Sequence, residues 1–235
     1  MTVFVLVHGA WEGGWCWRRV ACRLRAAGHE VFAPTLTGLG ERAHRASPEV
    51  DLESHITDIL GVLDWEELDR VVLCGHSYGG MVITGVADRA GARLRALVYL
   101  DAFLPKNGEA LFDLIGEERR NQFLTGAQGF DGWRIPPLKA AEWGVTDRDE
   151  QAWLDRLSTP HPLATFQQPI ELGGGGPSVA RRSYVLATGY EPSPFHSFAA
   201  EVRGDPGWRS LELPCHHMVN VSMPEEVANI LIEAA

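Results

Sequence analysis

The stretch that decides the fold of this chain is Gly75-His76-Ser77-Tyr78-Gly79. It follows an apolar run at 70–74 and precedes a helix-compatible stretch at 80–88. The pattern G-x-S-x-G at a strand-to-helix junction is typical of a sharp turn that exposes a nucleophilic serine above a sheet edge. The two glycines remove the Cβ atoms that would clash across such a turn. The pattern predicts Ser77 as a nucleophile, with a glycine-rich turn and a capping serine as the alternative.

Strand-like and helix-like runs alternate through the first hundred residues. Continuous apolar runs predict short strands buried on both faces, at 2–7, 30–33, 70–74 and 94–100. Helix-compatible runs lie between them, at 17–27, 51–63 and 80–88. In the second of these, Asp51 is suited to cap the first turn. Such alternation predicts the α/β class, with a mostly parallel central sheet flanked by helices.

The pattern changes near Pro105 and resumes near residue 181. The intervening segment has helix-like pieces broken by Gly and Pro, many large aromatic residues and a glycine run at 173–177 that indicates a flexible break. We expect residues 1–104 and 181–235 to form the core. Residues 105–180 are expected to form a helical cap, inserted after the strand that ends near Leu100. That cap would cover the carboxyl edge of the sheet, where open α/β sheets bind ligands, unless it packs elsewhere for stability alone.

Charge and composition exclude several classes of partner. The net charge is −10 and no basic run is interleaved with aromatic residues, which disfavours nucleic acid and anionic membranes. The first residues lack a basic region and are predicted to form a strand, and no apolar stretch reaches 18 residues. Four cysteines are scattered without ligand spacing, which favours free thiols and a cytoplasmic location. No metal, phosphate-binding or dinucleotide motif is present. We therefore expect no cofactor, and a homodimer is left open.

A serine hydroxyl needs a general base, usually a histidine oriented by a carboxylate. The candidates are His216 and His217, which follow the predicted strand 209–213 and lie at the same sheet edge as Ser77. An oxyanion hole needs two backbone N–H groups. The amides of Tyr78 and Ala10 are in suitable loops, whereas His8 is expected only to brace its loop by hydrogen bonds.

Four motifs resemble those of the α/β-hydrolase branch that holds plant methylesterases, hydroxynitrile lyases and bacterial esterases. They are VLVHGAW at 5–11, GGWCW at 13–17, GHSYGG at 75–80, and His217-Met218 ahead of Pro224. The resemblance implies the α/β-hydrolase fold, a cofactor-free Ser–His–acid triad, an acyl-enzyme intermediate and a small pocket under a helical cap. Through the distance to Pro224, it favours His217 over His216 as the base.

Two positions depart from that branch. Its members usually carry the acid in the loop after the strand matching 183–187, but Tyr190 stands there and a phenol cannot replace a carboxylate. Asp101, at the end of the strand beside that of Ser77, is the preferred acid, and Glu191 is the alternative. The alternative role for Asp101 is structural, as a cap of the turn into the middle segment. Met218 stands where the lyases carry a lysine, and a thioether offers no positive charge to departing cyanide.

The sequence therefore predicts a serine hydrolase that cleaves a small hydrophobic carboxylic ester. Amide or carbon–carbon bond hydrolysis and hydroxynitrile cleavage are alternatives within the same scaffold, since fold alone does not fix the reaction. A non-catalytic receptor that binds a small molecule in the same cavity is the alternative from another class.

Overall fold

A computed structural model of the chain describes residues 1–173 and 179–235. The glycine run at 173–177, for which a flexible break is predicted, lies outside the described residues except for Gly173.

The central sheet has six parallel strands in the order β2-β1-β3-β4-β7-β8. A separate two-stranded antiparallel ribbon is formed by β5 and β6. The strands are β1 (Val3–Val7), β2 (Glu30–Phe32), β3 (Val71–Ser77), β4 (Leu94–Ala102), β5 (Arg134–Ile135), β6 (His161–Pro162), β7 (Arg182–Ala187) and β8 (Trp208–Leu213). This arrangement confirms the parallel α/β sheet predicted from the apolar runs.

Helices connect the strands and cover both faces of the sheet. They are α1 (Arg18–Ala26), α2 (Leu52–Trp65), α3 (Gly79–Ala90), α4 (Leu111–Leu114), α5 (Glu117–Phe130), α6 (Arg148–Leu157), α7 (Ala164–Gln167), α8 (Phe195–Val202), α9 (Val219–Ser222) and α10 (Pro224–Ala234). Asp51 caps α2 as predicted, since its carboxylate accepts a hydrogen bond from Ser54 N at 2.8 Å. No helix in the two described ranges is long and apolar enough to cross a bilayer.

Two apolar layers sandwich the sheet because successive strand residues point to opposite faces. In β1, Phe4 and Leu6 pack in the cluster that includes α1 and α10. Val5 and Val7 pack in the opposite cluster with α2 and α3. All four side chains are fully buried, as expected for a parallel sheet covered on both sides.

The middle segment (residues 105–180) lies between β4 and β7 in the chain and contains α4 to α7 and the β5–β6 ribbon. Three of its aromatic residues join the same apolar cluster as α2 and α3. Phe112, Phe123 and Phe166 are each at least nine-tenths buried in that cluster. Other apolar residues of the segment, among them Leu154, pack in a separate cluster with residues that follow β8.

Candidate active site

Ser77 ends strand β3 in a left-handed backbone conformation, with φ of 53°. This is uncommon for a residue with a side chain and indicates a tightly constrained turn. The turn tolerates no Cβ at its two glycines: one built on Gly75 would lie 2.6 Å from Gly79 O, and one on Gly79 would lie 2.8 Å from Val7 O. The glycines of the motif are therefore required by close backbone approach, as predicted.

Asp101 occupies a bulge at the end of β4, the strand beside β3. His76 pairs with Leu100 and Ser77 pairs with Ala102, which leaves Asp101 as the extra residue between them. Its φ is 44°. A bulge of this kind redirects the side chain of the extra residue. The carboxylate accepts a hydrogen bond through Oδ1 from Ala187 N of β7, at 3.0 Å.

His217, four residues beyond β8, meets that carboxylate. Its Nδ1 lies 2.6 Å from Asp101 Oδ2, and both side chains are almost fully buried. Since a carboxylate only accepts, Nδ1 carries the proton and the lone pair is on Nε2. Burial lowers the pKa of His217, and the hydrogen bond to Asp101 opposes that shift without cancelling it. A neutral imidazole with a free Nε2 is the form a general base requires.

The His217 ring is enclosed by aromatic neighbours. The Phe195 ring stacks on it with centroids 4.9 Å apart and an angle of 6° between the planes. Trp143 and Tyr190 lie at 5.0 and 5.3 Å. The backbone is also fixed, because His217 N donates to Trp143 O at 3.1 Å. The imidazole therefore has little freedom to turn away from Asp101.

Ser77 is 93% buried and its side chain makes no hydrogen bond to any described residue. The turn lies against the loop after β1, where a Cβ on Gly9 would lie 3.0 Å from Ser77 Cβ. In unliganded enzymes the hydrogen bond from nucleophile to base is often absent and forms when substrate binds. The structure brings Ser77, Asp101 and His217 to one edge of the sheet, at the ends of β3, β4 and β8.

The amides predicted for an oxyanion hole border the same cavity as Ser77. Ala10 and Tyr78 both line it, and neither backbone N–H donates to a residue within 1–173 or 179–235. His8 braces the adjacent loop as predicted: its Nδ1 donates to Gly9 O at 2.8 Å and its Nε2 accepts from Leu36 N at 3.0 Å. Unused amides beside a strained serine are suited to receive developing negative charge.

The alternative acid and the alternative base do not join this group. The Glu191 side chain is 65% exposed and lies 2.6 Å from His196 Nε2. His216 is directed to Met218 N and to Ser222 Oγ, at 3.2 and 3.0 Å. The Ser222 hydroxyl in turn donates to Glu150 Oε2 at 2.7 Å.

A buried charge pair beneath the site was missed by the sequence reasoning. Glu12 Oε2 accepts from Gly9 N at 3.0 Å and lies 3.5 Å from His76 Nδ1. His76 Nε2 donates to His217 O at 3.0 Å. Burial opposes ionisation of both groups, but their mutual attraction outweighs it: the pKa of His76 is raised and that of Glu12 is lowered to about 2. The pair links the oxyanion loop to the backbone of His217.

A cavity of about 560 Å³ opens above Ser77. This is within the range of small-molecule sites. The middle segment contributes apolar side chains to it, namely Leu111, Ile115, Phe123, Leu138, Trp143 and Phe166. The core contributes Trp11, Phe103, Tyr190 and Phe195. Charged side chains, Glu117, Glu118 and Arg119, occur where α5 begins. The cavity therefore suits a small, largely apolar and partly aromatic molecule.

Residues 4–230 match the model of the Alpha/beta hydrolase family. The chain belongs to this family. A carbendazim hydrolyzing esterase from Nocardioides sp. (strain SG-4G) is 49% identical over 239 residues, which cover 98% of each protein. Methylesterase 4 of Arabidopsis thaliana is 35% identical over 254 residues, 99% of this chain and 95% of the relative.

Solved structures show the same fold. An extracellular alpha/beta-hydrolase from a Paenibacillus species superposes with a TM-score of 0.86 at 22% identity, covering 100% of this chain and 99% of the other. Tomato Methylketone Synthase I superposes with a TM-score of 0.81 at 18% identity, covering 99% and 96%. These likenesses confirm the α/β-hydrolase fold that the sequence motifs imply.

Proposed function

We propose that Ser77, His217 and Asp101 are the catalytic triad of this ester hydrolase, and that the amides of Ala10 and Tyr78 form its oxyanion hole. The observation that carries the proposal is the 2.6 Å contact between His217 Nδ1 and a fully buried Asp101. This contact lies at the edge of the sheet where β3, the neighbour of β4, ends at Ser77 with its left-handed backbone conformation.

The class of reaction is inferred from sequence similarity as well as from geometry. The protein is an esterase by its family and by its 49% identity, over nearly its whole length, to a named esterase. A methylesterase of plants is 35% identical over a similar span. The resemblance of the motifs to hydroxynitrile lyases does not change this assignment, because Met218 supplies no cation beside His217.

The proposed reaction begins when Ser77 Oγ attacks the ester carbonyl while His217 Nε2 takes its proton. The oxyanion accepts hydrogen bonds from the Ala10 and Tyr78 amides, and the imidazolium is stabilised by Asp101. On collapse of the intermediate, His217 returns the proton to the departing alkoxide, which leaves as the alcohol. Water then attacks the acyl-enzyme, with its proton passing to Nε2, and the acid is released as Ser77 Oγ is reprotonated.

The substrate that fits is a small ester with a flat aromatic or other apolar group. Apolar and aromatic side chains form most of the cavity lining, and the cavity volume suits a molecule of one or two rings. The relative that is 49% identical is named for the hydrolysis of carbendazim, which supports hydrolysis of a small molecule in this cavity.

We also propose that the middle segment acts as the cap of the active site. Six of its apolar side chains line the cavity, and Trp143 contacts the His217 ring from that side. A cap that excludes water strengthens each hydrogen bond to the oxyanion. The core at 1–104 and 181–235 would then supply the reacting groups.

The test is hydrolysis of p-nitrophenyl acetate by the wild-type protein and by Ser77→Ala. Wild type should turn over and react covalently with a fluorophosphonate at Ser77, whereas the variant should lose roughly 10⁶-fold in kcat and the label. Labelling at another residue, or undiminished turnover by the variant, would exclude Ser77 as the nucleophile.

The same experiment separates the enzyme from a non-catalytic receptor. A receptor would bind aromatic esters saturably in the cavity and release them unchanged, with no turnover by either protein. An intact His217–Asp101 contact favours the enzyme, since binding alone needs no oriented base.

A further inference from the structure

The loop after β1 leaves one amide unused between two that are satisfied. Gly9 N donates to Glu12 Oε2 at 3.0 Å, and Trp11 N donates to His161 Nδ1 at 3.1 Å. Ala10, between them, lines the cavity, and its N–H donates to no described residue. The two flanking bonds therefore fix the peptide planes on either side of the proposed oxyanion donor.

Trp11 needs such support because its backbone is in a left-handed conformation, with φ of 64°. For a residue with a side chain this costs roughly 1–2 kcal/mol and persists only where surrounding contacts hold it. Three hydrogen bonds do so, and each comes from the middle segment. Besides the bond to His161, Thr159 N donates to Trp11 O at 2.8 Å and Trp11 Nε1 donates to Ile135 O at 3.0 Å.

His161 and Ile135 face each other as partners in the β5–β6 ribbon. The ribbon thus presents one side-chain acceptor and one backbone acceptor to a single tryptophan. The oxyanion loop is therefore shaped by a segment nearly 150 residues away in the chain.

The tautomer of His161 is set by its second nitrogen. Nε2 lies 2.8 Å from Thr165 Oγ1, and that hydroxyl donates to Pro162 O at 2.8 Å. The hydroxyl proton is thus used, so Nε2 donates to Thr165 and Nδ1 keeps its lone pair for Trp11 N. His161 is fully buried, and burial, followed by repulsion from His55 and His8, holds its pKa well below its ordinary value. It remains a neutral acceptor.

The same imidazole also touches the other proposed oxyanion residue. The rings of His161 and Tyr78 are 4.9 Å apart at 76°. Tyr78 is held at its far end, where its hydroxyl lies 2.9 Å from His55 Nδ1. His55 Nε2 donates to Thr37 O at 2.8 Å, so Nδ1 accepts the Tyr78 proton. His161 is thus packed between the two loops that carry the amides of Ala10 and Tyr78.

We propose that His161 is a positioning residue for catalysis: by accepting the Trp11 N–H, it keeps the Ala10 N–H directed at the oxyanion. The inference rests on the proposed function and extends it, because the middle segment then aligns a transition-state contact as well as enclosing the substrate. A small misdirection of such a donor lowers the rate, since its strength depends on geometry.

Two isosteric replacements isolate the relevant nitrogen. His161→Asn places an amide oxygen where Nδ1 stands, whereas His161→Gln places its amide near Nε2 and leaves Trp11 N without a partner. We expect His161→Gln to lower kcat about tenfold to a hundredfold with KM little changed, and His161→Asn to recover most of that loss. Thr165→Val, which removes the partner that fixes the tautomer, should lose a smaller factor of roughly 3 to 10.

Affinity for a transition-state analogue distinguishes positioning of the oxyanion donor from a merely structural role, which would not change that affinity selectively. An aryl trifluoromethyl ketone forms a tetrahedral oxyanion on the serine, so its affinity should fall in parallel with kcat/KM across the three variants. Affinity for the product acid, which has no such oxyanion, should stay within about twofold of wild type.

Equal kcat in wild type, His161→Gln and Thr165→Val would overturn the inference, as would a loss shared equally by His161→Asn and His161→Gln. If His161→Gln does not fold, Thr165→Val decides by the same two affinities. Failure of the proposed function is distinguishable, because in that case wild type itself would neither turn over ester nor react with a fluorophosphonate at Ser77.

Discussion

The carboxyl edge of the sheet and the middle segment contribute to one cavity by different means. At the sheet edge the side chains are polar and held by short hydrogen bonds, as between His217 and Asp101. The middle segment presents mainly apolar side chains, with Phe123 and Phe166 in edge or tilted contacts. The difference indicates that the reacting groups are set by the sheet edge and the fit of the substrate by the apolar side chains of the middle segment, with His161 as the proposed link between the two.

The largest expected effect is on kcat, when the two candidate acids of the sheet edge are replaced in turn. Asp101→Asn preserves shape but removes the charge that orients His217 and stabilises the imidazolium, so kcat should fall by about 10⁴. Glu191→Gln should leave kcat within about twofold, because Glu191 is largely exposed and contacts His196 instead. Both are measured with p-nitrophenyl acetate under saturating conditions.

The reverse ranking, with Glu191→Gln inactive and Asp101→Asn close to wild type, would remove Asp101 from the triad. Circular dichroism supplies the control, since Asp101 Oδ1 also accepts from Ala187 N. An asparagine oxygen can retain that bond, so both variants should melt within a few degrees of wild type.

The sheet and the serine turn were predictable because their signals are local. The sequence itself shows the apolar runs, the two glycines around Ser77 and the order of the strand ends. Asp101 was reached by the same logic, since it directly follows an apolar strand. Its bulge was not foreseen, because a bulge depends on the pairing of β4 with β3.

The contacts that sequence reasoning missed join residues far apart in the chain. Glu12 reads as a polar residue in a glycine-rich loop, and only the fold shows that it meets His76 in the interior. His161 follows Pro160 without any periodic pattern around it. Its partner Trp11 is 150 positions away. No local propensity encodes such a pair, so the support of the oxyanion loop was invisible before the chain was folded.

An intermediate effect is expected from the middle segment, on selectivity. Phe123 lines the cavity and is almost fully buried against Trp11 and Phe166. Phe123→Leu removes ring contact with an aromatic acyl group, so the ratio of kcat/KM for methyl benzoate over methyl acetate should fall about tenfold. Hydrolysis of each ester is followed by release of acid at constant pH.

Phe130 offers a matched control on the same helix. It is 51% exposed and does not line the cavity, so Phe130→Leu should leave the ratio unchanged. An equal change in both variants would mean that selectivity responds to general loosening of α5, and the separation between the two regions would then be lost.

The smallest expected effect concerns the pH dependence of activity, which depends on His217 at the sheet edge. The base must be neutral to take the proton of Ser77, and burial holds the pKa of His217 below its ordinary value of 6.5. Activity is therefore lost only when the pH falls below that lowered pKa. A plot of kcat/KM against pH should have its acid midpoint below 6.5, because this ratio reports the free enzyme.

His216→Gln tests whether that midpoint belongs to His217. The pKa of His216 is also lowered, mainly by burial, so the position of the midpoint alone does not separate the neighbours. Their contacts separate them: His217 is hydrogen-bonded to a buried carboxylate, whereas His216 is hydrogen-bonded to Met218 N and Ser222 Oγ. The variant should therefore leave the acid midpoint unchanged and keep kcat within about twofold of wild type. If activity no longer fell at low pH in this variant, the role of base would pass to His216.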